Sequence, residues 1–169
     1  MYISFFDIIN LEVNMNNIIE LLMKNKETIS TMESCTGGAI ANYLTNIPNA
    51  SQVFSFGAIT YSNEYKMKFG VSKELIDKYT VYSMEVAREM SKCISNYTNS
   101  TYGVGVTGKL KKSDQNNPFG LDDVVYLSIY YRKEDKYYDI EIKLEYEERK
   151  DNKEQIINLF VDKMFEIIK

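Results

Sequence analysis

Thr31-Met32-Glu33-Ser34-Cys35-Thr36-Gly37-Gly38 is the stretch on which the reading of this chain turns. A short β-prone run, residues 28–32, leads into it, and an apolar-periodic segment to about Leu44 leads out. A strand that ends in a turn and opens a helix is the first joint of a βαβ unit. Ser34 is expected to open that helix, with Gly37 and Gly38 in its first turn. Backbone N–H groups at a helix start attract anions, and glycines let a ligand approach the backbone closely. Ser34 would stand where those groups converge. The same residues also suit a purely structural role, with Ser34 as N-cap and the glycines permitting tight packing.

Working outward, residues 15–26 place Ile18, Ile19, Leu21, Leu22 and Met23 on a helix-like apolar face. Downstream, Pro48 interrupts the chain, and residues 53–61 read as a buried strand. Residues 62–69 and 72–79 read as short helices separated by Gly70. Ser83 is the expected N-cap of a strong helix carrying Val86, Ala87, Met90, Ile94 and Tyr97. A strand over 102–107, a polar loop over 108–120, and two strands over 124–131 and 137–146 follow. A last helix starts at about Asn152, with Ile156, Ile157, Phe160, Val161, Met164 and Ile168 facing inward. Strands alternating with helices imply parallel pairing, and the late strand pair implies antiparallel pairing. The predicted fold class is α/β: a three-layer α/β/α sandwich on a mixed, mostly parallel five-stranded sheet. Ligands in such sheets bind where loops leave the carboxyl ends of strands.

The 169 residues suit one domain, and no linker or repeat divides them. Residues 15–169 are read as that domain and residues 1–14 as an extension docked on it. The apolar run Met1–Ile9 is interrupted by Asp7 and lacks a basic flank and a cleavage site, so it is not read as a signal peptide or a membrane span. The expected location is the cytoplasm.

Composition narrows the chemistry. There is no histidine, which excludes Ser-His-Asp and Cys-His machinery and any imidazole metal site within the chain. The two cysteines, Cys35 and Cys93, cannot build a Cys₄ site, and free thiols are expected. Twenty basic against twenty-four acidic residues give a net charge of −4, which argues against a nucleic-acid partner.

A serine nucleophile would then need lysine or tyrosine as its proton acceptor. Thr60-Tyr61-Ser62-Asn63-Glu64-Tyr65-Lys66 lies at the end of the next predicted strand, which a parallel pairing brings beside Ser34. Lys66 and Tyr61 are the available groups. Read alone, Lys66 is a solvated surface lysine, as most lysines are. Gly103-Val104-Gly105-Val106-Thr107-Gly108, a strand entering a loop, could line the same cleft. Cys35 is a second conceivable nucleophile, since a thiol at a helix start has a lowered pKa.

Together, ESCTGG at 33–38, ITYSNEYK at 59–66, FGVSKELI at 69–76, VYSMEVAREM at 81–90 and GVTG at 105–108 resemble the C-terminal domain of the competence-damage-inducible protein CinA. The resemblance covers about residues 16–169, in the form that stands without the larger proteins' N-terminal domain. It implies a nicotinamide-nucleotide amidase that converts nicotinamide mononucleotide to nicotinic acid mononucleotide and ammonia, with no cofactor and no metal. By similarity, Ser34 attacks the carboxamide and Lys66, assisted by Tyr61, moves the proton. Glu33, Cys35, Thr36, Gly37, Gly38, Asn63, Thr107, Gly108 and Arg149 fall at substrate-binding positions. Arg149 matches an arginine ahead of the family's last helix, and Lys153 stands where a second arginine is usual. As a residue of the mixed cluster 147–151, Arg149 is equally a solvated charge. The implied partners are a small pyridine nucleotide and further copies of the chain, with neither nucleic acid nor membrane.

One segment departs from the family. After Thr107-Gly108 the usual glycine- and proline-rich loop is replaced by Lys109-Leu110-Lys111-Lys112-Ser113-Asp114-Gln115-Asn116-Asn117, before Pro118-Phe119-Gly120 restores the pattern. Leu121-Asp122-Asp123 reads as an insertion. The loop is expected to take a different path. Its lysines either replace backbone amides as phosphate binders or accompany a changed ligand or lost catalysis. The competing reading is therefore a nucleotide-binding homologue without turnover.

Overall fold

The computed structural model describes residues 18–111, 115 and 118–168. The expectation that residues 1–14 dock on the domain lies outside them. A first helix, α1 (described residues 18–25), precedes β1 (Ile29–Glu33), α2 (Ala39–Thr45) and β2 (Phe54–Ile59). Next come α3 (Asn63–Lys68), α4 (Lys73–Tyr79), α5 (Met84–Thr98) and β3 (Tyr102–Gly108). The chain closes with β4 (Val124–Tyr131), β5 (Lys136–Lys143) and α6 (Arg149–Ile167).

The strands form one five-stranded sheet in the order β2-β1-β3-β4-β5. β1 pairs in parallel with β2 and β3, while β3–β4 and β4–β5 are antiparallel. Only β4 therefore runs against the other strands. This is the α/β sheet expected from the alternation of elements.

Serine caps set the helix starts on one side of the sheet. Ser62, Ser72 and Ser83 accept from the N–H groups of Tyr65, Leu75 and Val86, at 3.3, 3.1 and 3.3 Å. The core divides across the sheet. On one face Ile18, Leu22, Ile40, Leu44, Phe160 and Met164 pack on Val104, Val106 and Leu127. On the other, Met32, Ala58, Val71 and Val81 meet Val86, Met90 and Ile94 of α5.

Gly103 and Gly105 explain how α5 lies so close to β3. A Cβ at Gly103 would fall 2.0 Å from the carbonyl oxygen of Ser91, and one at Gly105 would fall 2.2 Å from that of Ala87. These glycines are packing residues of the sheet centre and do not line a cleft, contrary to the reading of the Gly103–Gly108 run. No helix among the described residues is long and apolar enough to cross a membrane.

Candidate active site

Ser34 follows the last residue of β1, and its N–H still donates to Val106 O of β3 at 3.0 Å. The chain then turns sharply, closed by Gly37 N–H donating to Ser34 O at 3.0 Å. Gly37 and Gly38 have φ of 64° and 89°, the left-handed region that side chains resist. The helix consequently begins at Ala39 with Gly38 as its N-cap, and the expectation that Ser34 opens and caps it is corrected. Ser34 belongs to the turn.

The free N–H groups of that helix are already satisfied by an anion from the chain itself. Glu33, fully buried, accepts from Thr36 Oγ1 at 2.7 Å, Ile40 N at 3.1 Å and Ala41 N at 2.8 Å. Placing a carboxylate at a helix N-terminus offsets the dipole and the unpaired donors together. Glu33 and Thr36 are thus committed to holding the turn.

The parallel pairing of β1 and β2 delivers the second half of the site. Thr60 N–H donates to Glu33 O at 2.8 Å, so the chain leaves β2 beside Ser34. Ser62 starts α3, and one turn later Lys66 points back beneath the sheet edge. Its Nζ donates to Ser34 Oγ at 3.0 Å and to Thr60 O at 2.7 Å, and the residue is only 1% exposed. The surface reading of Lys66 is therefore wrong.

Cys35, next in sequence, behaves differently from the expectation for a helix-start thiol. Burial pushes its pKa up to about 12, although Lys66 and Arg149 pull the other way. It packs in the core beside Ile40 and Val106 as a small apolar group. Both cysteines are free thiols.

Tyr61 does not join the Ser34–Lys66 pair. It is 66% exposed, and its hydroxyl accepts from Arg149 Nη2 at 3.4 Å. Arg149 is the first residue of α6, which begins earlier than the expected Asn152. Its Nη1 donates to Lys109 O at 3.2 Å. One turn further along α6, Lys153 Nζ lies 3.4 Å from where a Gly37 Cβ would be. Two cations of α6 thus stand over the Ser34 turn. Asn63 occupies the first turn of α3, partly buried.

The remaining sequence candidates have structural occupations. Thr107 Oγ1 donates to Val81 O at 2.9 Å. A Cβ at Gly108 would lie 2.9 Å from Val124 O and 2.6 Å from Val125 Cγ2, so the glycine permits the β3–β4 pairing. The loop lysines are engaged as well. Lys109 Nζ bonds Gly120 O at 3.0 Å and Asp122 Oδ1 at 2.9 Å, while Lys111 Nζ pairs with Glu147 at 2.8 Å. In this arrangement neither replaces a glycine-loop amide as an anion donor; Lys112 lies outside the described residues.

A model of the CinA C-terminal domain matches residues 12–169. The chain belongs to the CinA C-terminal domain family. Over 99 residues it is 46% identical to a Clostridium perfringens (strain SM101) protein named provisionally as competence-damage inducible, covering 57% of this chain and 24% of that one. Over 127 residues it is 41% identical to the similarly named protein of Clostridium kluyveri (strain ATCC 8527), covering 74% and 31%. The chain therefore spans about a quarter to a third of the length of these curated relatives. Among solved structures, a CinA-superfamily protein from Klebsiella pneumoniae superposes with a TM-score of 0.85 at 17% identity, covering 94% of this chain and 97% of that one. A competence/damage inducible protein from Agrobacterium tumefaciens gives 0.84 at 24% identity, covering 94% and 96%. At that identity the likeness is one of fold.

Three contributors to this CinA site escaped the sequence reading. The Thr60 carbonyl anchors Lys66 through a main-chain atom, which leaves no residue-type signal. Lys109 looked like one of several loop lysines. Asn152, fully buried, clasps the backbone of Tyr146, accepting from its N–H at 3.1 Å and donating to its carbonyl at 2.8 Å. That clasp fixes the entry of α6 and so the place of Arg149; a polar residue on the apolar face of a helix was the available clue.

Proposed function

We propose that this protein hydrolyses the carboxamide of nicotinamide mononucleotide, releasing nicotinic acid mononucleotide and ammonia. The observation that carries this reading is the buried amine of Lys66, 3.0 Å from Ser34 Oγ. A lysine serves as a base in its neutral form, which removal from water favours over the ammonium. Ser34 Oγ attacks the carboxamide carbon while its proton passes to Lys66 Nζ, held in place by Thr60 O. The oxyanion falls to backbone N–H groups of the turn after Ser34 other than that of Gly37, which Ser34 O already holds. Lys66 then gives the proton to the departing nitrogen, and ammonia leaves an acyl-serine. Water, deprotonated by the same amine, attacks the ester carbon, and the acid departs with Ser34 regenerated. One water is consumed per ammonia released.

The nucleotide phosphate needs cations outside this pair. Arg149 and Lys153 supply them from one face of α6, Arg149 with a fork suited to phosphate oxygens. Tyr61, resting on Arg149, borders both halves of the site. The test is ammonia release from nicotinamide mononucleotide by the wild type beside Ser34→Ala. Turnover by the first and loss in the second supports the amidase. Binding without turnover in both would favour the non-catalytic reading, and equal turnover in both would sink the role of Ser34.

A further inference from the structure

The connection from β3 to β4 is where this chain leaves its family's glycine-rich pattern, and one residue holds it together. The Lys109 side chain is 1% exposed. Its Nζ donates to Gly120 O at 3.0 Å, Asp122 Oδ1 at 2.9 Å and Pro118 O at 3.4 Å, so each N–H of the ammonium has an acceptor. The ammonium also stands 5.4 Å over the Tyr82 ring. All three oxygens come from the returning limb of the loop. The outgoing limb is strained at the same place: Leu110 and Lys111 have φ of 52° and 60°, where side chains are disfavoured. Leu110 is buried in the core, and Lys111 N–H donates to Asp122 O at 2.6 Å.

The carbonyl of this same Lys109 is the acceptor for Arg149 Nη1, and Arg149 reaches Tyr61 through Nη2. The direction of that carbonyl depends on the turn that the side chain closes. We propose that Lys109 is a positioning residue: its buried ammonium replaces glycine-loop geometry by drawing residues 118–122 inward, and so aims its own carbonyl at Arg149 beside the Ser34–Lys66 pair. Lys109 itself touches no substrate. Its kinetic consequence rests on the amidase reading, but its structural consequence does not.

The experiment compares the full chain with Lys109→Met. By NMR, the Arg149 Nε–Hε signal and the Tyr61 ring signals are expected to shift or broaden, while the Ser34 and Ile40 amide signals keep their positions. With nicotinamide mononucleotide, KM is expected to rise about tenfold, the scale of loosening one charge-assisted contact, with kcat within about twofold. A folded variant with Arg149 and Tyr61 signals at wild-type positions overturns the proposal, as does a fall in kcat with KM unchanged. If Lys109→Met does not fold, Asp122→Asn, which removes only the charged acceptor, carries the same comparison: displaced Arg149 and Tyr61 signals support the proposal, and unmoved ones overturn it. Absence of ammonia release by the wild type would sink the amidase reading alone, and the NMR comparison would still decide the role of Lys109.

Discussion

Replacing Lys66 by methionine separates function from stability at the centre of the site. The substitution keeps an unbranched side chain of similar length and removes the hydrogen bonds to Ser34 Oγ and Thr60 O. Each lost bond costs about 1 kcal/mol net, and somewhat more if the Thr60 carbonyl stays dry and unpaired. Against that, a thioether in a site that is 1% exposed needs no hydration, whereas burying an amine forfeits on the order of several kcal/mol of solvation if it is charged. The terms are comparable, so stability is expected to change by less than about 2 kcal/mol in either direction. For a domain of this size that is a Tm shift within roughly 8 °C. Activity has no such compensation. Removing the amine bonded to Ser34 Oγ is expected to lower kcat for ammonia release by at least about 10²-fold. Thermal unfolding by circular dichroism and an ammonia assay on the same preparation check both. Retention of activity within threefold would refute Lys66 as the base. A fall in Tm well beyond 8 °C would show that the lysine serves mainly to hold the sheet edge together.

Three further outcomes follow from the same contacts. Gly105→Ala should destabilise by about 3 kcal/mol, lowering Tm by roughly 6–12 °C, because its Cβ would fall 2.2 Å from Ala87 O and force α5 off the sheet; a neutral result would mean that α5 packs elsewhere. Glu33→Gln should cost about 2 kcal/mol in denaturant unfolding, since three donors that now meet a carboxylate would face a neutral amide with one wrong-handed end. Cys35, its thiol pushed up to about 12 by burial, should resist iodoacetamide in the native state at pH 8, its thiolate forming only as pH approaches that value; labelling at Cys35 detected by mass spectrometry, with the protein still folded, would contradict the burial.

Local signals in the chain carried further than pairwise ones. Ser62, Ser72 and Ser83 announce their helices because a cap bonds an N–H only three residues away. The period-3.6 face of α5 and the β-branched and aromatic runs of β3 and β4 likewise depend on near neighbours. So did the class of the fold, since strand–helix alternation followed by two adjacent strands permits little besides a mixed sheet. Motif resemblance placed Ser34 and Lys66 in one site, but nothing in the composition around Lys66 distinguishes it from an exposed lysine.

What the tertiary structure alone decided was where side chains spend their hydrogen bonds. The order β2-β1-β3 sets the carboxyl ends of β1 and β2 side by side, and only then can Lys66 reach across 32 residues to Ser34. Two left-handed glycines, unreadable as such in one dimension, move the helix start past Ser34 and hand its N–H groups to Glu33. Gly103 and Gly105, in a strand run expected to line the cleft, are a seat for α5, because the backbone that requires them belongs to a helix folded back against their strand. Arg149 at the start of α6 meets Tyr61 and Lys109 from two connections, β2–α3 and β3–β4, and their association is a property of the packed sheet. Sequence periodicity specifies which face of an element is buried; which partner that face finds is a long-range choice, made when the sheet closes and every buried donor must be matched.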